Sequence, residues 1–291
     1  MQKLNRASRA HPAELTADEQ TAILADRYSL RADAYDEFWS PVIRPSGESL
    51  LRHLPLSGTT NIIDVGTGAG ALLPLIQRAA QGAKILGVDR SEGMLRLARE
   101  KHSGPLALMD VQHLALPANQ FEAAIVAFVL FHLPHPDRCL SEVNRVLKPG
   151  GTVGTITWGP EDFPPVNTIW DQELEAAGAQ VIELPATDNR SCCDSQDKIR
   201  ALLKQAGFLS IKAWRESIEY RWRPEHHFDY QVRGSSRMRL QSLSADDREA
   251  CLRRIRDRIS GADHDAYVYR GEVVMAMALK QSATGEVGSG E

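Results

Sequence analysis

The sequence has few cysteines, no long apolar run and no large excess of either charge. Four cysteines in 291 residues do not make a disulfide framework, and their spacing fits no zinc-ligand pattern, so we expect a reduced protein without a metal. No stretch approaches the ~20 apolar residues of a membrane span, and the polar segment 1–11 lacks the apolar core of a signal peptide. The net charge of −4 argues against nucleic acid as a partner, because phosphate binding needs a basic excess. These absences favour a cytoplasmic protein that binds neither membranes nor nucleic acid.

Short apolar runs alternate with helical stretches in the middle of the chain. Continuous apolar runs are typical of strands that are buried on both faces, so the pattern predicts an α/β fold with a mainly parallel sheet. The expected strands cover residues 62–65, 84–89, 106–110, 123–128 and 152–157, and strand character returns at 210–220 and 271–280.

The segments before and after this alternating region have different residue patterns. Thr16 and Glu19 form a capping box that begins a helix, and we expect Pro41 and Pro45 to interrupt the helical pattern before a further helix through residues 50–54. After Trp158 the alternation breaks, and two insertions, near 159–196 and 221–268, are predicted to cover the site as a lid. Residues 1–15 are expected to be a loose lead-in, and 281–291 a disordered tail.

A glycine-rich turn follows the first expected strand. Asp64-Val65-Gly66-Thr67-Gly68-Ala69-Gly70 lets the backbone pass close beneath a ligand, because glycine has no Cβ. The turn also directs the N–H groups of the next helix at that ligand. On its own the motif also fits a dinucleotide site, or a tight turn without a ligand.

Acidic residues end the next two strands. Asp89 follows Gly66 by 23 residues, a position from which a carboxylate can accept hydrogen bonds from both ribose hydroxyls. Asp110 ends the third strand, where a carboxylate can accept from an adenine amino group. Because ligands of open α/β sheets bind at the carboxyl ends of the strands, these acids predict a nucleoside site.

Four segments together resemble the core of the class I S-adenosylmethionine-dependent methyltransferases, especially the branch of ubiquinone and menaquinone C-methyltransferases. They are DVGTGAG (64–70), GVDRSEGML (87–95), MDVQHLALPANQFEAAIVAFVLFHL (109–133) and EVNRVLKPGG (142–151). The segment from Tyr28 to Asp36 also resembles that family. The resemblance implies a Rossmann-like seven-stranded sheet whose last strand, 271–280, is antiparallel, an N-terminal helical lid over 1–45, and a methyltransferase domain over 46–291.

The resemblance also implies S-adenosylmethionine as the cofactor and assigns residues to it. Asp64, Gly66 and Gly68 are expected near the methionine part, and Asp89 at the ribose. The full set of expected cofactor residues is Tyr28, Tyr35, Asp64, Gly66, Gly68, Asp89, Arg90, Met94, Asp110, Val111, Ala127 and Phe128. An acid-rich cleft suits this cofactor, which carries a sulfonium and an ammonium group.

The sequence gives weaker indications of the residues that bind the methyl acceptor. His132 is the best candidate for a general base, because it follows the fourth strand at the edge that faces the cofactor. All five tryptophans lie outside residues 46–157, which favours a small, apolar or aromatic acceptor. The expected substrate-binding residues are Trp39, Trp158, Trp170, His226 and His227. The acceptor atom is left open between O, N, C and S, with O-, C- or N-methylation as the expected reaction, and the oligomeric state is open too.

Two other functions share the glycine turn. A nicotinamide-dependent oxidoreductase would carry a hydride-transfer motif such as Tyr-x-x-x-Lys, which the sequence lacks, and Asp110 argues against it. A non-catalytic protein of the same fold stays open, because intact cofactor positions do not prove chemistry.

Overall fold

The computed structural model describes residues 15–181 and 189–282, and its centre is one seven-stranded sheet. The strands are β1 Asn61–Val65, β2 Lys84–Asp89, β3 Leu106–Leu108, β4 Phe121–Ala127, β5 Leu147–Asp162, β6 Phe208–Arg221 and β7 Val268–Lys280. Their order in the sheet is β3-β2-β1-β4-β5-β7-β6. Strand β7 is antiparallel to both β5 and β6, whereas the pairs from β3 to β5 are parallel. The predicted Rossmann-like, mainly parallel sheet with an antiparallel last strand is therefore confirmed.

Helices cover both faces of the sheet. They are α1 Ala17–Leu30, α2 Ala32–Phe38, α3 Ser40–His53, α4 Leu73–Ala79, α5 Glu92–Lys101, α6 Pro136–Val146, α7 Asn167–Ala176, α8 Gln196–Gln205, α9 Pro224–Tyr230, α10 Arg237–Gln241 and α11 Ala245–Ile259. Short 3-10 turns lie at Leu130–His132, Arg190–Cys192 and His264–Tyr267. Within 15–181 and 189–282, no helix is long and apolar enough to cross a membrane.

The central strands are apolar because helices bury both of their faces. Ile62 and Ile63 of β1 and Ala124 and Ile125 of β4 are fully buried. Since parallel strands point the same way, the carboxyl ends of β3, β2, β1 and β4 lie side by side at one edge of the sheet. That edge receives the residues that the sequence predicts for a ligand.

Hydroxyl caps begin several helices where the sequence signals them. The Thr16 side chain accepts a hydrogen bond from the Glu19 N–H, and the Glu19 carboxylate accepts from the Thr16 N–H, which confirms the expected capping box at the start of α1. Ser91 caps α5 in the same way, since its hydroxyl accepts from the Met94 N–H. Each cap satisfies a donor that has no partner within its helix.

The structure corrects the expected break at Pro41 and Pro45. Both prolines belong to α3, with Pro41 in its first turn and Pro45 inside it. Proline fits the first turn because the N–H that it lacks has no partner there. The buried side chains of Val42, Ile43 and Leu50 hold the helix against the core in spite of Pro45. The expected domain boundary between 45 and 46 therefore falls within one helix.

Six of the seven strands differ from the expected bounds by at least one residue, and two of these differences need a physical reason. Strand β3 ends at Leu108, so Asp110 lies in the turn after it, and β5 runs from Leu147 to Asp162, well beyond the expected 152–157. Long antiparallel pairing with β7 supports this extension. Most of the expected lead-in and tail, residues 1–14 and 283–291, lies outside the described residues, as does 182–188 of the first insertion.

Candidate functional site

The glycine turn after β1 is tied to the neighbouring strand by its backbone. The N–H groups of Gly66 and Thr67 both donate to the Val88 carbonyl, at 2.8 and 2.9 Å. Gly66 has a φ of +71°, and a Cβ built on it would lie 2.3 Å from Cγ2 of Val129. Gly68 has a φ of +54° with open space beside it. The turn thus requires glycine at 66 for both its conformation and its contact with the segment after β4.

Asp89 joins this turn to the start of α5. Its Oδ2 accepts a hydrogen bond from the Gly68 N–H, and its Oδ1 accepts from the Ser91 N–H, both at 2.8 Å. Burial raises the pKa of the Asp89 carboxyl, and the backbone donors oppose that rise. Each carboxylate oxygen thus has a backbone donor and keeps acceptor capacity for a ligand.

Two further carboxylates flank Asp89 along the sheet edge. Asp64, near the end of β1, is 2% exposed and accepts a 2.6 Å hydrogen bond from the Thr67 hydroxyl. Burial raises the pKa of Asp64 to about 7. Asp110 accepts from the Gln112 N–H at 2.9 Å and from Nη1 of Arg90 at 3.1 Å.

These groups line a cavity of about 980 Å³, open mouth included, which we call the first cavity. All of the residues that the sequence predicts for the cofactor lie on its wall, together with His132: Tyr28, Tyr35, Asp64, Gly66, Gly68, Asp89, Arg90, Met94, Asp110, Val111, Ala127 and Phe128. Three carboxylates face one guanidinium group among these residues, so the wall has an excess of negative charge.

The helices α1 and α2 close the first cavity from above. The rings of Tyr28 and Tyr35 meet edge to face, with centroids 5.5 Å apart, and pack beside the buried Met94. Helix α1 contacts α5 very closely: a Cβ at Gly93 would lie 2.6 Å from the Ser29 carbonyl oxygen. The hydroxyls of Ser29 and Ser91 are also hydrogen-bonded at 2.8 Å.

Phe128 has a conformation that the sequence does not reveal. This residue, just after β4, has a φ of +59°, which is rare for any residue with a Cβ. Its N–H donates to the Ile156 carbonyl at 2.8 Å, and its ring packs on Trp158 with centroids 4.6 Å apart. Such strain is typically found at functional sites, at a cost of order 1–3 kcal/mol.

A second cavity of about 1160 Å³ adjoins the first and shares wall residues with it. The shared residues are Leu24, Tyr28, Tyr35 and His132. The Tyr28 hydroxyl lies 2.8 Å from Nε2 of His132, at the boundary between the two spaces. Burial raises the pKa of Tyr28 to about 12, so this hydroxyl is neutral at physiological pH.

The second cavity contains charged groups that are absent from the residues predicted for the site. Arg27, Arg31 and Arg190 lie on its wall beside the rings of Phe131 and Tyr230. One signal was present in the sequence: two arginines four residues apart, one in the helix that carries Tyr28 and one directly after it. Arg190 comes from a segment distant in sequence, and no local pattern predicts its position.

The expected substrate-binding residues are scattered. Trp39 lies on the wall of the second cavity, and Trp158 packs behind it, with ring centroids 6.1 Å apart. Trp170 is 1% exposed, packs on Phe228 and lines neither cavity. The general tendency of tryptophan to fill a core explains its position.

The two adjacent histidines are also absent from both walls. His227 is buried, and its Nε2 bonds to the Asn167 side-chain oxygen at 2.8 Å, which ties α9 to α7. Burial lowers the pKa of His227 to about 4. The His226 ring packs between Phe38 and Trp222. Both positions indicate packing rather than the expected contact with substrate.

Sequence comparison gives consistent relatives. A family profile described as "Methyltransferase domain" matches residues 63–154. The ubiquinone/menaquinone biosynthesis C-methyltransferase UbiE of Burkholderia cenocepacia is 30% identical over 166 residues, which cover 52% of this chain and 68% of that protein. The demethylmenaquinone methyltransferase of Clavibacter sepedonicus is 27% identical over 172 residues, covering 54% and 69%.

Solved structures share the fold. A SAM-dependent methyltransferase of Thermotoga maritima superposes with a TM-score of 0.52 at 17% identity, over 89% of this chain and 99% of that one. One from Archaeoglobus fulgidus gives a TM-score of 0.50 at 14% identity, over 84% and 97%. The family profile and the sequence relatives decide against the oxidoreductase. The chain belongs to the class I methyltransferases, enzymes that use S-adenosylmethionine as their cofactor.

Proposed function

We propose that the first cavity holds S-adenosylmethionine and that the second cavity holds a small methyl acceptor with an apolar or aromatic body. The observation that carries this proposal is the shared wall of Leu24, Tyr28, Tyr35 and His132, which lets two ligands meet end to end. Alignment of donor and acceptor is the main requirement of methyl transfer.

The residues of the first cavity fit this cofactor in charge and shape. Asp64, Asp89 and Asp110 outnumber Arg90, which suits a ligand with a sulfonium and an ammonium group. A Cβ at Gly66 would collide with the Val129 side chain, so the turn has bare backbone at this position. The Val111 N–H has no acceptor in the described part of the chain and is available to an adenine ring.

The order of the strands orients the cofactor. Asp110 follows β3, Asp89 ends β2 and Asp64 lies on β1, in the order of neighbours in the sheet. In our proposal Asp110 and Val111 bind the adenine, Asp89 the ribose and Asp64 the ammonium group. The reactive end then points towards Phe128, after β4, and towards the second cavity.

When bound, the cofactor supplies a methyl group that is activated by its bond to a sulfonium sulfur, and this sulfur is the leaving group, as a neutral thioether. The protein supplies alignment, exclusion of water by α1 and α2, and a route for a proton. The Tyr28 hydroxyl faces both cavities and is hydrogen-bonded to His132. For an acceptor that loses a proton, such as a phenol, Tyr28 takes that proton and passes its own to Nε2 of His132.

The cofactor assignment is tested by calorimetric titration with S-adenosylhomocysteine. Asp89→Ala removes the acceptor for the ribose hydroxyls and is expected to weaken binding by about 10- to 100-fold, because hydrogen bonds to charged groups contribute roughly 1.5–3 kcal/mol. The exposed Asp246→Asn variant serves as the control and should bind like the wild type. Binding of NADPH in place of S-adenosylhomocysteine would contradict the proposal.

Asp64 gives the binding a pH dependence of known sign. Its pKa of about 7 leaves it half protonated in the free protein, whereas a bound ammonium group favours the carboxylate. Affinity for S-adenosylhomocysteine should therefore rise by about 10-fold from pH 6 to pH 8. The rise should disappear in Asp64→Asn and persist in Asp246→Asn. If Asp64→Asn kept the same slope, another group would be responsible.

The Tyr28–His132 relay is tested by turnover. A panel of phenols, quinols and amines is screened for release of S-adenosylhomocysteine, and the best acceptor is then used for kinetics. With a phenol, His132→Asn and Tyr28→Phe should each lower kcat by about 100-fold or more. The pH dependence of kcat should also flatten in His132→Asn. An unchanged kcat in both variants would exclude the relay.

Trp39 and Trp170 form a matched pair for the acceptor site. Trp39→Ala removes a ring from the second cavity and should raise KM for that acceptor by roughly 10-fold. Trp170→Phe should leave KM unchanged and lower Tm by several degrees, since this buried side chain packs on Phe228 and lines neither cavity. A KM that responds to Trp170 and not to Trp39 would place the acceptor elsewhere.

A further inference from the structure

The second cavity concentrates positive charge on a wall that is otherwise apolar. Arg27, Arg31 and Arg190 face it, and among its described lining residues none is acidic. Arg27 lies in the last turn of α1, and Arg31 is the first residue after that helix, so the two are four residues apart. Like charges at this spacing repel each other.

Only one of the three guanidinium groups has a carboxylate partner among the described residues. Arg190 pairs with Glu161, whose side chain is 6% exposed and also accepts a 2.7 Å hydrogen bond from the Tyr269 hydroxyl. Arg31 donates to the Gly234 carbonyl, which satisfies a donor and leaves the charge.

Arg27 is in the least favourable position of the three. It makes no ion pair with any residue in 15–181 or 189–282. Burial lowers the pKa of Arg27, and so does the charge of Arg31. Half-buried, uncompensated charges of one sign are costly, and an anion bound between Arg27 and Arg31 would offset that cost.

Aromatic rings lie next to these charges. Trp39, Phe131 and Tyr230 line the same cavity, and Tyr28 lies between Arg27 and Arg31 in sequence. Tyr28 lies in the last turn of α1 and Arg31 is the residue that follows this helix, and both lie on the wall of the second cavity. A single-ring molecule with a reacting group at Tyr28 can therefore place a second group at Arg31.

From these observations we infer that the methyl acceptor is an anion: a small aromatic molecule that carries a carboxylate or another oxyanion. Its charged group binds between Arg27 and Arg31, and its ring lies against Trp39. This inference rests on the proposed function, because it takes the second cavity as the acceptor site. The two cavities then sort their ligands by charge, with the cationic cofactor in the acidic space and the anionic acceptor in the basic one.

The test compares probes that differ in charge and little in shape. 4-Hydroxyphenylacetate, its neutral amide 4-hydroxyphenylacetamide, and phenyl phosphate are titrated calorimetrically into the full chain, with and without saturating S-adenosylhomocysteine. We expect the carboxylate to bind at least about 10-fold more tightly than the amide. Phenyl phosphate identifies which oxyanion the arginines prefer, and tighter binding of either anion than of the amide supports the inference.

Substitution of the arginines tests whether they cause the preference for the anion over the amide. Arg27→Gln and Arg31→Gln should each reduce the preference for the anion to less than about 3-fold, while S-adenosylhomocysteine still binds as in the wild type. Arg52→Gln, an exposed position on α3, is the control and should keep the full preference. The inference is overturned if the amide binds as well as the anions, if no anion binds at millimolar concentration, or if both arginine variants keep the preference. Failure of S-adenosylhomocysteine to bind would contradict the proposed function instead, and the titrations without it still decide the charge preference.

Discussion

The carboxylate of Asp89 holds together the two turns on which the whole site depends. One oxygen accepts from the turn after β1 and the other from the start of α5. These bonds fix the relative positions of the glycine backbone and of the helix against which α1 packs. Burial raises the pKa of this group because it disfavours the charged form, and the backbone donors oppose that rise. A ligand that supplies further hydroxyl donors would add to the same effect.

The sheet and its helices could largely be predicted because their signals are local. The bounds of β2 agree with expectation, since an apolar run ends in Asp89, and the serine cap of α5 follows at once. Prediction failed where packing outweighs local preference. Helix α3 contains Pro45 because the burial of Val42, Ile43 and Leu50 supports it. Strand β5 extends past Trp158 because β7 pairs with it, and nothing near Trp158 in sequence announces that partner.

The two cavities also differ in how far the sequence predicts them. The acidic residues of the first cavity follow consecutive strands, so the topology alone brings Asp64, Asp89 and Asp110 to one edge. The second cavity is assembled from α1, the segment at Arg190 and the segment at Tyr230, which only the folded chain brings together. Apart from Phe131 and His132, its lining residues lie outside the 63–154 stretch that matches the family profile. Membership of the family therefore carries little information about the acceptor.

The contact at Gly93 shows an exchange between local and global stability. Glycine inside a helix costs roughly 1 kcal/mol relative to alanine, and the backbone of Gly93 itself has ordinary helical geometry. The missing side chain leaves space for the Ser29 backbone, which a methyl group would approach to 2.6 Å. Helix α5 thus gives up intrinsic helix propensity so that α1 can lie close enough to close over both cavities. Because the atoms that a Cβ would meet belong to the Ser29 backbone, α1 would have to move before a larger residue could fit, so this glycine serves the packing of the folded chain as well as the closure of the site.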